Sequence, residues 1–180
     1  MVKKATNYAN RGKPLEIAIE TANAQYDARE VALIDKVATP VKVKKLDQRG
    51  QIASGWYDHK STVDYKGITN GISIAFDAKS TTNKTNFPLQ NIKSHQVTYL
   101  RKHQQQKGIS FMLVEFSLHQ EHYILMFDQL AEWWAEAVQG GRKSIPYQFF
   151  AENCIRCGPG RGIALDYLAA LPQINKEVLA

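Results

Sequence analysis

The chain has 180 residues, the size of a single domain, and its 44% hydrophobic and 22% charged residues exclude a disordered or low-complexity protein. Lysine and arginine number 23 against 17 aspartates and glutamates, a formal charge of +6 that favours a polyanionic partner, nucleic acid first and an acidic membrane surface second. No apolar run reaches the ~18 residues needed to span a bilayer, and none follows the basic start MVKKATNYANRGK, so a cytoplasmic protein without a membrane partner is expected.

Residues 1–10 read as a loose basic arm. Pro14 suits the first turn of a helix, and Leu15, Ala18, Ile19, Ala22 and Tyr26 recur at helical spacing to about Arg29. Val31 to Val37 reads as a buried strand. From about 40 to 57 the chain turns basic, with Lys42, Lys44, Lys45 and Arg49 around an Arg49-Gly50 turn; this predicts a protruding basic hairpin outside the core. Strands are predicted at about 61–68 and 72–79, then a Thr/Asn/Lys-rich loop to Asn86 and a long helix opened by Pro88 and running to about Lys107. Ile109–Phe116 and His122–Phe127 alternate as paired strands, Gln129–Val138 is a tryptophan-bearing helix, and short helices end the chain. The order describes an α/β fold, one domain with a mixed sheet flanked by helices. Cys154 and Cys157 form a single C-x-x-C without a second ligand pair, which reads as reduced thiols and not as a zinc site.

Asn70-Gly71 is the strongest turn signal in the chain. With these two as the loop, facing residues have numbers that sum to 141, as 70 and 71 do; Asp64 then faces Asp77, and Thr62 faces Lys79. Side-chain alternation puts Thr62, Asp64, Asp77 and Lys79 on one face, while Val63, Tyr65, Ile72, Ile74, Phe76 and Ala78 form the core side. Two carboxylates directly opposite repel, an arrangement that makes sense if a divalent cation sits between them, with the threonine hydroxyl as a further hard oxygen donor. Lys79 beside such a cation can stabilise charge on a phosphate or position a water, as phosphodiester hydrolysis requires. The same residues also fit a solvated outer face of an edge hairpin, with Lys79 neutralising the aspartates.

On the following helix, Ile92, Tyr99, Leu100 and His103 define an inward stripe that also carries Gln96, facing either the metal or a backbone group. Glu16, in the first turn of the first helix, is a secondary candidate for the catalytic site or a carboxylate favoured by the helix dipole. Trp133 and Trp134 read as packing residues.

D-x12-D-A-K is the pattern of the PD-(D/E)xK nucleases. The longer strings N-R-G at 10–12, T-P-V at 39–41, S-T-V-D-Y-K-G at 61–67, N-K-T-N-F-P-L-Q-N at 83–91, H-Q at 95–96 and G-R-K-S-I at 141–145 resemble the RecU family of Holliday-junction resolvases. The resemblance runs from about residue 7 to 171. It implies a restriction-endonuclease-like fold and a homodimeric, Mg²⁺-dependent endonuclease, with Mn²⁺ as a substitute, that cuts four-way DNA junctions alongside other recombination proteins. It also implies Thr62, Asp64, Asp77 and Gln96 around the metal, Lys79 as the catalytic lysine, and the basic hairpin as a stalk reaching the junction centre. Arg11, Lys36, Lys44, Lys45 and Arg49 become candidates for DNA contact. The chain departs from the family in carrying Asp77 where F-E-A-K has glutamate, and in a shorter stalk. The competing readings are another endonuclease of the same superfamily, of homing or restriction type, and a non-catalytic junction-binding accessory protein.

Overall fold

The computed structural model describes residues 12–58, 62–172 and 174; the basic arm, with Arg11, lies outside them. Helix α1 (Lys13–Asp27) starts with proline in its first turn, where the absent N–H costs nothing, and buries Leu15, Ile19, Ala22 and Tyr26. Six strands form the central sheet in the order β1 (Leu33–Lys36), β4 (Tyr65–Thr69), β5 (Ile72–Thr81), β7 (Ile109–Phe116), β8 (Glu121–Met126), β10 (Ile155–Cys157). The sheet is mixed: β5 and β7 run parallel, joined by the crossover helix α2 (Ser94–Gln105), and the other neighbours are antiparallel. Helix α3 (Phe127–Val138) and the short α4 (Tyr147–Asn153) follow. Among the described residues no helix is long and apolar enough to cross a membrane.

The β4–β5 hairpin pairs Tyr65 with Phe76 and Thr69 with Ile72, the register that Asn70-Gly71 dictates; both loop residues have positive φ, +47° and +76°, as this turn requires. The sheet carries a core on each face. On one side Tyr65, Phe76 and Phe111 stack in sequence beneath α1 and the C-terminal segment with Tyr167. On the other, Ala75, Met112, Val114 and Leu125 pack under α2, α3 and α4. The hairpin is therefore interior, not an edge with an outer polar face: β5 has a paired strand on both sides, and the face bearing Asp77 lies beneath a second helical layer.

Two further expectations change, and a third holds. The predicted buried strand at 31–37 is an edge strand, Leu33–Lys36, in which only Ile34 is buried, because its outer side has no neighbour. Pro88 does not open a helix. It ends β6 (Asn86–Pro88), which pairs with β9 (Ser144–Pro146), and a 3₁₀ turn at Leu89–Asn91 precedes α2. The predicted basic hairpin forms as β2 (Val41–Leu46) and β3 (Ile52–Tyr57), closed by Asp47, whose carboxylate accepts the N–H groups of Arg49 and Gln51 at 2.8 Å each. Every residue of both strands is exposed, so the hairpin stands clear of the two cores.

Candidate active site

Each polar side chain of the site is placed by a different backbone device. Asp77 sits in the middle of β5, on the face covered by α2, and is fully buried. Asp64 immediately precedes β4. Its main-chain oxygen accepts Val37 N–H at 2.8 Å and its Oδ2 accepts Ala78 N–H at 3.1 Å, so both its backbone and its carboxylate are held. Lys79, two residues beyond Asp77 on the same face, hydrogen-bonds Asp77 Oδ1, and its Nζ lies 3.5 Å from Asp64 Oδ2. Gln96 is the third residue of α2: its Oε1 accepts Lys93 N–H at 2.9 Å, capping the helix, and its Nε2 donates to Asp77 Oδ2. Gln96 thus satisfies a backbone group, one of the two roles weighed for it in the sequence, and also touches a site carboxylate. Thr62, the remaining member, has a buried hydroxyl with no hydrogen-bond partner.

The electrostatics follow from burial. Withdrawal from water, reinforced by the charge of Asp64, pushes the Asp77 carboxyl up to about 7 despite the attraction of Lys79. Burial opposes the charge on Lys79, but the carboxylates of Asp77 and Asp64 outweigh it and hold the ammonium protonated. With all three ionised the cluster carries one net negative charge.

That donor set fits a small divalent cation. Two carboxylates and a partnerless hydroxyl are hard oxygen ligands, and the orphaned Thr62 Oγ1 is the kind of buried group that is otherwise rare. Among the described residues no cluster of three or more His, Cys, Asp or Glu side chains is poised for a metal. A two-carboxylate site suits an ion that keeps several waters and takes further ligands from a phosphate.

The other candidates lie elsewhere. Glu16 does not join the carboxylates through any contact of its own; it and Glu20 hold Lys36 at 2.9 and 2.6 Å on the exposed side of α1 and β1. Lys36 is accordingly neutralised. Lys44, Lys45 and Arg49 project from the exposed hairpin, and a bulge between Val43 and Lys45 twists that strand. Cys154 and Cys157 are free thiols whose burial raises both pKa values to about 12, which leaves them unreactive. One residue went unmarked in the sequence: Lys66, on β4 two residues beyond Asp64, places its Nζ 4.3 Å above the centre of the Tyr99 ring. The signal was present, since the 141 register sets Lys66 opposite Ala75, two residues before Asp77 on the same face.

A pair of facing carboxylates with a lysine two residues beyond the second, carried by a hairpin inside a mixed α/β sheet, has the arrangement of an acid–acid–lysine site. Residues 10–173 match the family described as Recombination protein U, and the chain belongs to the RecU family. It is 36% identical over 173 residues to the Holliday junction resolvase RecU of Levilactobacillus brevis, covering 94% of this chain and 86% of that protein. It is 35% identical over 176 residues to the protein of the same name from Geobacillus kaustophilus, with 96% and 88% covered, and 37% identical over 180 residues to that of Oceanobacillus iheyensis, with 97% and 92% covered. Among solved structures it is similar to the Holliday junction resolvase Hjc of Archaeoglobus fulgidus at a TM-score of 0.44 and 8% identity, over 79% of this chain and 90% of that one.

Proposed function

We propose that this protein is a divalent-metal-dependent endonuclease, using Mg²⁺, that resolves four-way DNA junctions by hydrolysing phosphodiesters. The observation that carries the reading is the convergence of Asp64, Asp77 and Lys79, with Gln96 donating to Asp77, at one point of the sheet. Membership of a family whose named relatives are Holliday junction resolvases supports the substrate.

In this reading Asp64, Asp77 and Thr62 hold the cation, which when bound supplies Lewis-acid stabilisation of the phosphate and a more acidic water. Gln96 fixes Asp77 by donating to Oδ2, so the carboxylate keeps one orientation. Lys79 contributes a protonated Nζ within reach of both carboxylates. It orients the attacking water or donates a hydrogen bond to a non-bridging oxygen as negative charge builds there. Asp77 in place of the family's glutamate is one methylene shorter, which shifts the carboxylate toward the strand.

Phosphate contacts in this scheme come from Lys44, Lys45 and Arg49 on the exposed hairpin and from Arg11, while Lys36 joins them only if DNA displaces its glutamates. Glu16 keeps a secondary, positioning part through Lys36. Symmetrical cutting of a junction needs two such sites, so the working unit is a homodimer, acting in the cytoplasm with other recombination proteins as partners. The test is cleavage of a synthetic four-way junction and of a linear duplex of the same sequence. Mg²⁺-dependent cutting of the junction in preference to the duplex is expected. Equal cutting of both points to a restriction or homing type of enzyme, and binding without cutting points to an accessory protein.

A further inference from the structure

Lys66 stands apart from the other cations near the site. Lys79 is paired with Asp77 and Asp64, Lys36 with Glu16 and Glu20, and Lys42 with Asp58, whereas Lys66 has no acidic partner among the described residues. It is half-buried, and its charge rests on the face of Tyr99. That ring is itself backed by His103, with the two rings nearly parallel and 6.2 Å apart.

His103 is fixed in turn. One ring nitrogen meets Ser110 Oγ and the other Ser73 Oγ, both at 2.8 Å, so the imidazole is tethered to β7 and β5 together. The ring fills the space beside Gly108, where a Cβ would come within 2.2 Å of it, so no larger residue fits at that position. Burial and the charge of Lys66 hold His103 below its ordinary pKa, so it sits beside the lysine as a neutral ring and adds no repulsion at neutral pH.

A half-buried ammonium with no acidic partner among the described residues, propped on an aromatic ring, presents its charge to an anion such as a phosphate. Its position says which phosphate. Lys66, the second residue of β4, follows Asp64 by two residues, a step of ~7 Å along extended chain. That is comparable to the step between neighbouring phosphates of one DNA strand.

We propose that Lys66 binds the phosphate adjacent to the scissile one, and that Tyr99 and His103 are positioning residues that aim its ammonium. The assignment rests on the nuclease reading of the site and goes further, by naming a substrate contact that sets the register of the cut strand.

The test compares wild type with Lys66→Met, which keeps the aliphatic stem over Tyr99 and removes the charge; Lys66→Gln serves if the first variant fails to fold. Binding to a four-way junction and to a linear duplex is measured across a salt series without divalent metal, and kcat and KM are measured with Mg²⁺. The expected result is about tenfold weaker binding and a salt slope smaller by about one, with the loss in KM and kcat within about twofold. Tyr99→Leu should weaken binding less and leave the slope intact, because the charge remains. Unchanged affinity and slope in a folded Lys66→Met, or a fall in kcat with KM unchanged, would overturn the proposal. A wild type that binds DNA without cutting it sinks the nuclease reading while the salt slope still decides the role of Lys66; a wild type that binds no DNA removes both.

Discussion

Asp77 is a carboxyl placed where a protein without metal would hold it least comfortably. Burial raises its pKa to about 7, so the folded chain holds it protonated over a pH range where an ordinary carboxyl is ionised. The sign follows directly: the contribution of Asp77 to stability is fully present below its ordinary value near 3.8 and is lost as pH rises through about 7. In EDTA, then, the chain melts at a lower temperature at pH 8 than at pH 5.5 as far as this residue decides. Asp77→Asn, which is neutral at both pH values and leaves Lys79 its second partner Asp64, should raise the melting temperature at pH 8 by about 2–6 °C and by less at pH 5.5. Adding Mg²⁺ at pH 8 should stabilise wild type and not the variant, as ligand linkage requires. A scanning calorimetry series reads all of this. Thr62 gives a second case, because its buried hydroxyl has no partner in the chain. Thr62→Val should leave the metal-free protein as stable or more so, while raising the Mg²⁺ concentration for half-maximal cleavage by about tenfold.

Among the elements, the basic hairpin is the most separable. None of its twelve strand residues is buried, and its two ends meet at the hydrogen bond from Asp58 N–H to Pro40 O at 3.0 Å. Replacing Val41–Tyr57 with a short glycine linker should therefore keep the melting temperature within a few degrees while lowering affinity for a four-way junction and narrowing its preference over linear duplex. Thermal melts and gel-shift titrations check the two halves of that statement. The hairpin was legible in the sequence because its charges and its turn are local, and so was the register that pairs Tyr65 with Phe76, since Asn70-Gly71 leaves little choice; Asp64 lies just before that paired segment and meets β5 through Ala78 N–H. What the sequence hid was pairing at a distance. The fully apolar run of β7 does not alternate, so nothing in it announces that β5 gains a parallel partner and that the face of Asp77 is roofed by α2. The β6–β9 pairing that displaces a helix start at Pro88, and the ion pairs that bind Lys36 to α1, likewise join segments far apart in the chain.

At the scale of the molecule, the excess of basic over acidic residues is unevenly spent. The acids that matter to the site are gathered around the buried Asp77, while the hairpin and Lys66 carry cations without acidic partners among the described residues. On the proposed reading, in which these cations contact phosphates, affinity should fall steeply between 50 and 200 mM salt for junction and duplex alike, about 10³-fold for a footprint of six contacts. The central claim is that Asp64, Asp77 and Lys79 form a metal-dependent hydrolytic site for junction DNA. Its most direct test is cleavage of a synthetic four-way junction by wild type and by Asp77→Asn, with and without Mg²⁺. The account predicts paired cuts by wild type only when Mg²⁺ is present, and no cuts by a variant that still binds the junction. Cleavage by Asp77→Asn at the wild-type rate, or by wild type in EDTA, would contradict it.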